Sequence, residues 1–148
     1  MDQVDYQILK QLQNQARLSM TELGKLVGLS QPAVTERVKR LEEKGIIEEY
    51  RTVISPEKLG KQTAAFMLFS TRECHAFLDF CRSAPEVVEC HRISGEHSYL
   101  LKVMTDSTRA LEDFGQQCDK FGTYTILIVM SSPIAHRSLI TETLFHKN

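Results

Sequence analysis

TELGKLVGLSQPAVTERVKR, residues 21–40, is the stretch that decides the fold of the first half of the chain. Apolar residues recur at helical spacing on both sides of Gly28, a residue that readily adopts the left-handed turn between two packed helices. Ser19 begins an S/T-x-x-E capping box, which predicts the start of the first helix of the pair. Ser30 and Pro32 are typical of the first turn of the second helix. The stretch therefore predicts a helix-turn-helix.

The residues around this stretch complete a small helical domain. Three apolar stripes at helical spacing predict three helices, of which the first ends at 14–15 and the third at Gly45. Residues 46–54 favour a strand. Residues 55–60, SPEKLG, combine Ser, Pro and Gly in the order expected for one short helical turn that joins two domains. We therefore predict a first domain over residues 1–60.

The second half, residues 61–148, changes from helical to alternating patterns. The order of its predicted elements is β-α-β-β-α-β, which is the ferredoxin-like or split βαβ arrangement. The predicted strands are 64–70, 87–94, 98–105 and 123–131, and the predicted helices are 73–84 and 107–120. The fold class is therefore α+β, with a three-helix helix-turn-helix domain followed by a ferredoxin-like domain.

The first and last predicted strands are apolar on both faces. Such a pattern is unusual for an antiparallel sheet with one wet face, where apolar and polar residues alternate. The face away from the helices therefore needs cover, and packing against a second copy would supply it. A helix or tail of the same chain is the alternative. The tail, residues 133–148, either adds to an assembly interface or covers the sheet.

The second helix of the helix-turn-helix carries the side chains suited to reading DNA. Its N-terminal residues would face base edges in the major groove. Thr35 can exchange hydrogen bonds and meet a thymine methyl, and Glu36 can accept from a cytosine amino group. The basic residues and the free amides at the Ser19 end of the preceding helix suit phosphate. The candidate DNA-binding residues are Ser19, Ser30, Gln31, Pro32, Thr35, Glu36, Arg37, Lys39 and Arg40.

A plain helical hairpin with a solvated charged face is the alternative, because three nearby Glu residues offset much of this positive charge. The whole chain of 148 residues has a net charge of -1 and a pI near 6.5. No global basic field is present, so DNA binding requires a local patch that oligomerisation multiplies.

Other function classes find little support in the composition. No apolar run reaches the roughly 18 residues of a membrane span, and the N-terminus lacks a signal-peptide core. The four Cys residues form no CxxC pair, which indicates a reducing cytoplasm and neither a disulfide framework nor a zinc site. The sequence contains no GxSxG, P-loop, HExxH or GxGxxG motif. We expect no catalytic residue, no metal, no cofactor and no membrane contact.

The whole chain resembles the Lrp/AsnC, or feast/famine, family of prokaryotic transcription regulators. Two sets of residues carry this resemblance, in the order and spacing of the family. In the first half they are Asp5, Ile8-Leu9, Arg17, Leu23, Gly28-Leu29-Ser30, Val34, Arg37-Val38, Leu41-Glu42, Gly45-Ile46-Ile47 and Leu59-Gly60. In the second half they are Arg92-Ile93-Ser94-Gly95 and Tyr99-Leu100-Leu101-Lys102-Val103.

The resemblance implies a dimer that binds double-stranded DNA at promoters, and such dimers often build tetramers or octamers. It also often implies an amino acid or related small effector, held between dimers near the loop of Gly95, Glu96, His97, Ser98 and Tyr99. Amino-acid-responsive members usually have an Asp where this chain has Ser98. A hydroxyl cannot supply the charge that pairs with an ammonium group. A different ligand, or none, is therefore an equal alternative.

Two alternative functions remain at this point. The first is an architectural protein that wraps DNA with little specificity and no effector. The second is a small-molecule-binding or enzymatic oligomer whose helical domain serves only for assembly. The first would show a steep salt dependence and little preference between sequences, whereas the second would bind a ligand but not DNA.

Overall fold

The computed structural model describes residues 1–140, which form two compact units. The first unit combines Met1–Val53 with the stretch that begins at Ile134, and the second spans Ile54–Pro133. The chain therefore divides a few residues before the predicted boundary at residue 60. The stretch after Pro133 groups with the helical unit rather than with the sheet.

Three helices form the first unit, as predicted: α1 (Gln3–Asn14), α2 (Met20–Val27) and α3 (Gln31–Glu43). Their apolar stripes meet in one small core. Its buried members are Ile8, Leu9, Leu12, Leu23, Val27, Val34, Val38 and Leu41. Gly45 follows α3 with a φ of 66°, the left-handed conformation that commonly ends a helix.

The predicted strand over residues 46–54 is wrong, because no strand is present there. A lone extended segment needs a neighbouring strand to satisfy its backbone, and none of the described residues pairs with it. Instead, the amides of Ile46 and Ile47 both donate to the carbonyl oxygen of Leu41, at 2.9 and 3.2 Å. These two hydrogen bonds satisfy a backbone carbonyl group near the C-terminal end of α3. The short helical turn that follows is present, over Glu57–Leu59.

The second unit has the predicted β-α-β-β-α-β order. Its elements are β1 (Thr63–Thr71), α4 (Cys74–Ser83), β2 (Val87–Arg92), β3 (Tyr99–Thr105), α5 (Thr108–Cys118) and β4 (Gly122–Ile128). All neighbouring strands are antiparallel, in the order β2-β3-β1-β4. The core contains side chains from the sheet and from α4 and α5. Phe69 of β1 stacks on Phe77 of α4 with ring centroids 4.0 Å apart.

Gly122 lies in close contact with the backbone of a neighbouring strand. A Cβ atom on Gly122 would lie 2.1 Å from the carbonyl oxygen of Ser70 in β1. The start of β4 therefore lies against β1 with no room for any side chain.

The opposite face of the sheet is apolar but incompletely covered. In the centre, Leu68 of β1 lies opposite Leu100 of β3, and Phe66 lies opposite Leu127 of β4. The first three are half-buried, and Leu127 is 48% exposed. An ion pair between Lys102 and Glu89, with an N–O distance of 2.9 Å, crosses the same face. The unusual apolar pattern predicted for this face is therefore present.

The described part of the tail contacts the helical unit and forms no strand. Gln13 of α1 accepts hydrogen bonds from the Ser138 hydroxyl at 2.6 Å and from the Ile140 amide at 3.2 Å. Ile140 also packs against the helical core. The described tail residues therefore add no strand to the sheet. The remaining tail positions, including Leu144 and Phe145, lie outside the described residues.

Among the described helices, none has the length and apolarity to cross a membrane.

Candidate DNA-binding surface

The start of α2 is fixed by the predicted capping box. The Ser19 hydroxyl accepts a hydrogen bond from the Glu22 amide at 3.2 Å, and the Glu22 carboxylate accepts one from the Ser19 amide at 3.0 Å. These bonds to Ser19 hold the pKa of Glu22 below its usual value. Ser19 was predicted as part of a phosphate contact. In the structure its hydroxyl and amide are both bonded to Glu22 in the capping box.

The turn between α2 and α3 depends on two Gly residues. Gly28 has a φ of 71°, as the turn requires. Gly24, which sequence reasoning missed, is buried inside α2, and its carbonyl oxygen accepts a hydrogen bond from the Leu29 amide at 2.8 Å. A Cβ atom there would lie 2.7 Å from the Leu29 carbonyl oxygen. Close approach of the turn to α2 therefore requires Gly24.

We expect Gly24→Ala to destabilise the helical unit by about 1–3 kcal/mol, because the backbone of the turn must move away from the new methyl group. Thermal unfolding followed by circular dichroism, with hydrogen exchange to localise the change, measures this effect. Lys25→Ala, at an exposed position of the same helix, is the control. Equal stability of the two variants would contradict the packing role of Gly24.

One face of α3 is buried and the other is open. Val34 and Val38 face the core, whereas six of the seven predicted contact residues of this helix are exposed: Gln31, Pro32, Thr35, Glu36, Lys39 and Arg40. Ser30 precedes them, exposed and at the predicted cap position, but its side chain makes no cap hydrogen bond. The surface that these residues share is called the α3 face below.

The polar side chains of the α3 face are only lightly engaged. The Thr35 hydroxyl donates to the Gln31 carbonyl oxygen at 2.8 Å, which leaves its methyl group and an acceptor lone pair available. Lys39 makes a long, exposed contact of 3.7 Å with Glu43. Exposed pairs of this kind contribute little and exchange readily with a stronger partner such as phosphate.

Arg37, predicted as a phosphate contact, is bound to two carboxylates of its own chain. Its guanidinium lies 2.7 Å from a carboxylate oxygen of Asp2 and 2.7 Å from one of Asp5, and only 24% of its side chain is exposed. Asp2 and Asp5 also form the capping box of α1. These bonds raise the pKa of Arg37, and the Asp5 amide together with Arg37 lowers the pKa of Asp2. Arg37 therefore connects α3 to the start of α1.

The predicted effector loop lies at one end of the sheet. Gly95 has a φ of 116°, which allows the turn, and Glu96 is exposed. The Ser98 amide donates to the Phe69 carbonyl oxygen at 2.8 Å. His97 lies 3.1 Å from the Ser70 hydroxyl. Tyr99 was predicted to contact an effector, but it is only 3% exposed and packs in the core, since its β3 position faces the helices.

A cavity of about 690 Å³ opens beside Ser98. Four charged residues line it, two of each sign: Arg72 and Lys120, Glu73 and Asp119. Sequence reasoning did not bring these residues together, because they lie on segments that are distant in the chain. The positive and the negative group of a zwitterionic ligand would each have a residue of opposite charge in such a cavity.

The Cys and His residues do not form a metal site in the part of the chain that the structure describes, since no group of three or more potential ligands occurs there. Cys81 and Cys118 are buried. Burial raises the pKa of both thiols to about 12, so they are neutral at physiological pH.

Comparison with known proteins agrees with this geometry. A family model described as winged helix-turn-helix DNA-binding matches residues 1–48, and the Lrp/AsnC ligand binding domain matches residues 64–139. The HTH-type transcriptional regulator YezC of Bacillus subtilis is 48% identical over 136 residues, which are 92% of this chain and 98% of that protein.

Solved structures of two regulators have the same fold. Bacillus subtilis LrpC superposes with a TM-score of 0.87 at 32% identity, over 92% of this chain and 99% of that one. A transcriptional regulator of Neisseria meningitidis, solved as a complex with L-Met, has a TM-score of 0.89 at 29% identity, over 97% and 99% of the two chains. The chain is a DNA-binding transcriptional regulator that belongs to the Lrp/AsnC family.

Proposed function

We propose that α3 is the recognition helix and that the α3 face contacts DNA. Gln31, Thr35 and Glu36 read base edges near the start of the helix, whereas Lys39 and Arg40 bind phosphate farther along it. The observation that carries this assignment is the exposure of these side chains on a helix whose opposite stripe is buried and whose entry turn packs closely against α2. Ser30 and Pro32 complete the surface. Ser19 and Arg37 are left out, because intramolecular partners occupy them.

We propose sequence-preferring regulation rather than architectural wrapping, since few cations remain free on the α3 face to bind DNA without regard to sequence. Genomic fragments captured with the purified protein at two salt concentrations and then sequenced provide the test. A few promoter fragments that share a two-fold-symmetric motif and survive the higher salt would support regulation. Broad capture that vanishes at the higher salt would support the architectural role, and no capture would contradict the DNA-binding assignment.

The open face of the sheet supports a homodimer. A second copy would cover Phe66, Leu68 and Leu100, and the two α3 helices would then reach successive major grooves. Larger assemblies of these dimers would add avidity.

No catalytic step is proposed, and the protein would act in the cytoplasm, where prokaryotic promoters are located.

We expect Leu68→Glu to convert the dimer into a monomer, because the new charge would lose its hydration at the centre of the dimer interface. Sedimentation velocity at micromolar concentration measures the change. Gln117→Glu, on the exposed surface of α5, carries the same charge and should leave the dimer intact. A dimeric Leu68→Glu variant with native secondary structure would contradict the assignment of the interface.

The cavity beside Ser98 supports a zwitterionic amino acid as effector. The Neisseria relative was solved with L-Met, which makes L-Met the first compound to test. Arg72 or Lys120 would bind the carboxylate of the amino acid. Glu73 or Asp119 would bind the ammonium group. Either would take the place of the Asp carboxylate that amino-acid-responsive members usually have at the position of Ser98.

We expect millimolar L-Met or another amino acid to raise the melting temperature of the protein, because a ligand that binds only the folded state stabilises it. Asp119→Asn combined with Glu73→Gln should abolish the shift. Glu112→Gln, at an exposed position that does not line the cavity, should keep it. A shift that survives the double substitution would place the ligand elsewhere, and no shift with any amino acid would contradict this class of effector.

A further inference from the structure

Two thiols of the sheet unit, those of Cys81 and Cys90, have no role in the function described so far. Cys81 lies on α4, and Cys90 lies on β2, the strand at one end of the order β2-β3-β1-β4. Cys90 is opposite Leu101 of β3, which is fully buried, so its side chain faces the helices. Both Cys residues pack with the core of the sheet unit. The fold therefore brings thiols from two different elements to the same side of the sheet.

The Cys81 and Cys90 side chains are direct neighbours. Their thiols lie close enough to share a hydrogen bond, and both are free in the structure. A disulfide places its two sulfur atoms about 2.0 Å apart, so thiols in hydrogen-bond contact need to approach by only about 2 Å more. Cys118 also lies near Cys81, but it is fully buried in α5. Cys90 is therefore the partner that a small movement of β2 brings to Cys81.

A cavity of about 380 Å³ opens beside this pair of thiols. Cys81 and Cys90 both line it, Arg82 and Glu89 add one charge of each sign, and the remaining lining is apolar. Cys90 is half-buried, whereas Cys81 is only 6% exposed. The cavity has room for one half of a small disulfide molecule, which would reach Cys90 first.

We propose that Cys81 and Cys90 form a reversible disulfide by exchange with a low-molecular-weight disulfide, and that this bond fixes β2 to α4. Cys90 loses its proton and attacks one sulfur atom of the small disulfide, which releases its other half as a thiol. Cys81 then loses its proton and attacks the sulfur atom of Cys90, which releases the second half as a thiol. In total the pair loses two electrons and two protons, and the small disulfide gains them.

Burial controls the rate of this exchange. It raises the pKa of Cys81 to about 12, and it raises the pKa of Cys90 against the opposing influence of the Cys81 thiol and of Arg82. Because the thiolate is the attacking form, both steps are slow at physiological pH. The pair would therefore stay reduced during a brief exposure to oxidised thiols and would respond to a sustained one.

Peptide mapping of the oxidised full chain tests this pairing. Trypsin cleaves after Arg72, Arg82 and Arg92, which separates Cys81 from Cys90 in peptides 73–82 and 83–92. The protein is incubated for hours with millimolar glutathione disulfide, and the remaining thiols are alkylated before digestion. We expect the two peptides to be joined, with a mass two hydrogen atoms below their sum.

Cys74→Ser is the variant in which the pairing is measured, because Cys74 shares peptide 73–82 with Cys81. Ser is suitable there, since a hydroxyl can keep the hydrogen bond that Cys74 makes with Tyr99. In this variant we expect joined peptides and an alkylated Cys118. Unreacted thiols, a bond that includes Cys118, or glutathione that stays on Cys90 would each overturn the proposal.

Thermal unfolding tests whether the bond fixes β2 to α4. The oxidised Cys74→Ser protein should melt about 5 °C or more above the reduced protein, because a cross-link restricts the unfolded chain, and dithiothreitol should reverse the shift. Cys90→Ala in the same background removes one partner and should show no shift with the oxidant. Joined peptides without a rise in melting temperature, or a rise that persists in Cys90→Ala, would overturn the proposal.

Discussion

Replacing Thr35 by Asp is expected to lower the affinity for specific DNA about 100-fold or more. Thr35 is exposed on the α3 face, and its hydroxyl bonds only within the helix, to Gln31. A carboxylate at this position would face the negative charge of DNA. A like-charge contact in an interface costs several kcal/mol, and about 3 kcal/mol corresponds to roughly 100-fold.

Fluorescence anisotropy with a captured promoter fragment measures this loss. Thr35→Ser keeps the hydroxyl and removes only the methyl group, so it should reduce affinity much less. Gln117→Asp carries the same charge change on α5 and should bind like the unaltered protein. If Thr35→Asp and Gln117→Asp bind equally well, Thr35 does not face DNA.

Gly122→Ala is expected to have the largest effect on stability, a loss of about 3 kcal/mol from the sheet unit. The new methyl group would meet the Ser70 carbonyl oxygen at 2.1 Å and its carbon at 3.1 Å. Ser70 cannot move aside freely, because it pairs with Thr123 of β4. Gly122 has extended backbone angles, so the loss arises from contact and not from conformational strain.

Urea unfolding, with hydrogen exchange of β1 and β4 peptides, measures this effect at a fixed protein concentration. Thr123→Ala is the control, since it alters the exposed next residue of the same strand. The helical unit should keep its exchange rates in both variants. Equal unfolding midpoints for Gly122→Ala and Thr123→Ala would contradict the tight contact between the two strands.

Local signals explain what the sequence predicted well. The capping box at Ser19 and the left-handed turn at Gly28 are each determined by residues within a few positions of one another. The ferredoxin-like order likewise follows from the order in which segments with strand periodicity and segments with helical periodicity occur along the chain. These features need no knowledge of distant contacts.

Features that depend on distant partners could not be predicted in this way. Arg37 fits a phosphate contact on its own helix, but its carboxylate partners lie more than thirty positions earlier. Gly is required at positions 24 and 122 because another backbone segment lies too close for a side chain, and this contact cannot be inferred from the neighbouring sequence. The sequence of residues 46–54 favours a strand, yet a strand forms only where a second one can pair with it.

The bond between Arg37 and the start of α1 has a genetic consequence. Selection for regulators that have lost DNA binding is usually expected to return substitutions in the recognition helix. Here Asp2 and Asp5 hold that helix through Arg37, although neither is a proposed DNA contact. Loss-of-function alleles will therefore also map to Asp2 and Asp5, at the start of α1.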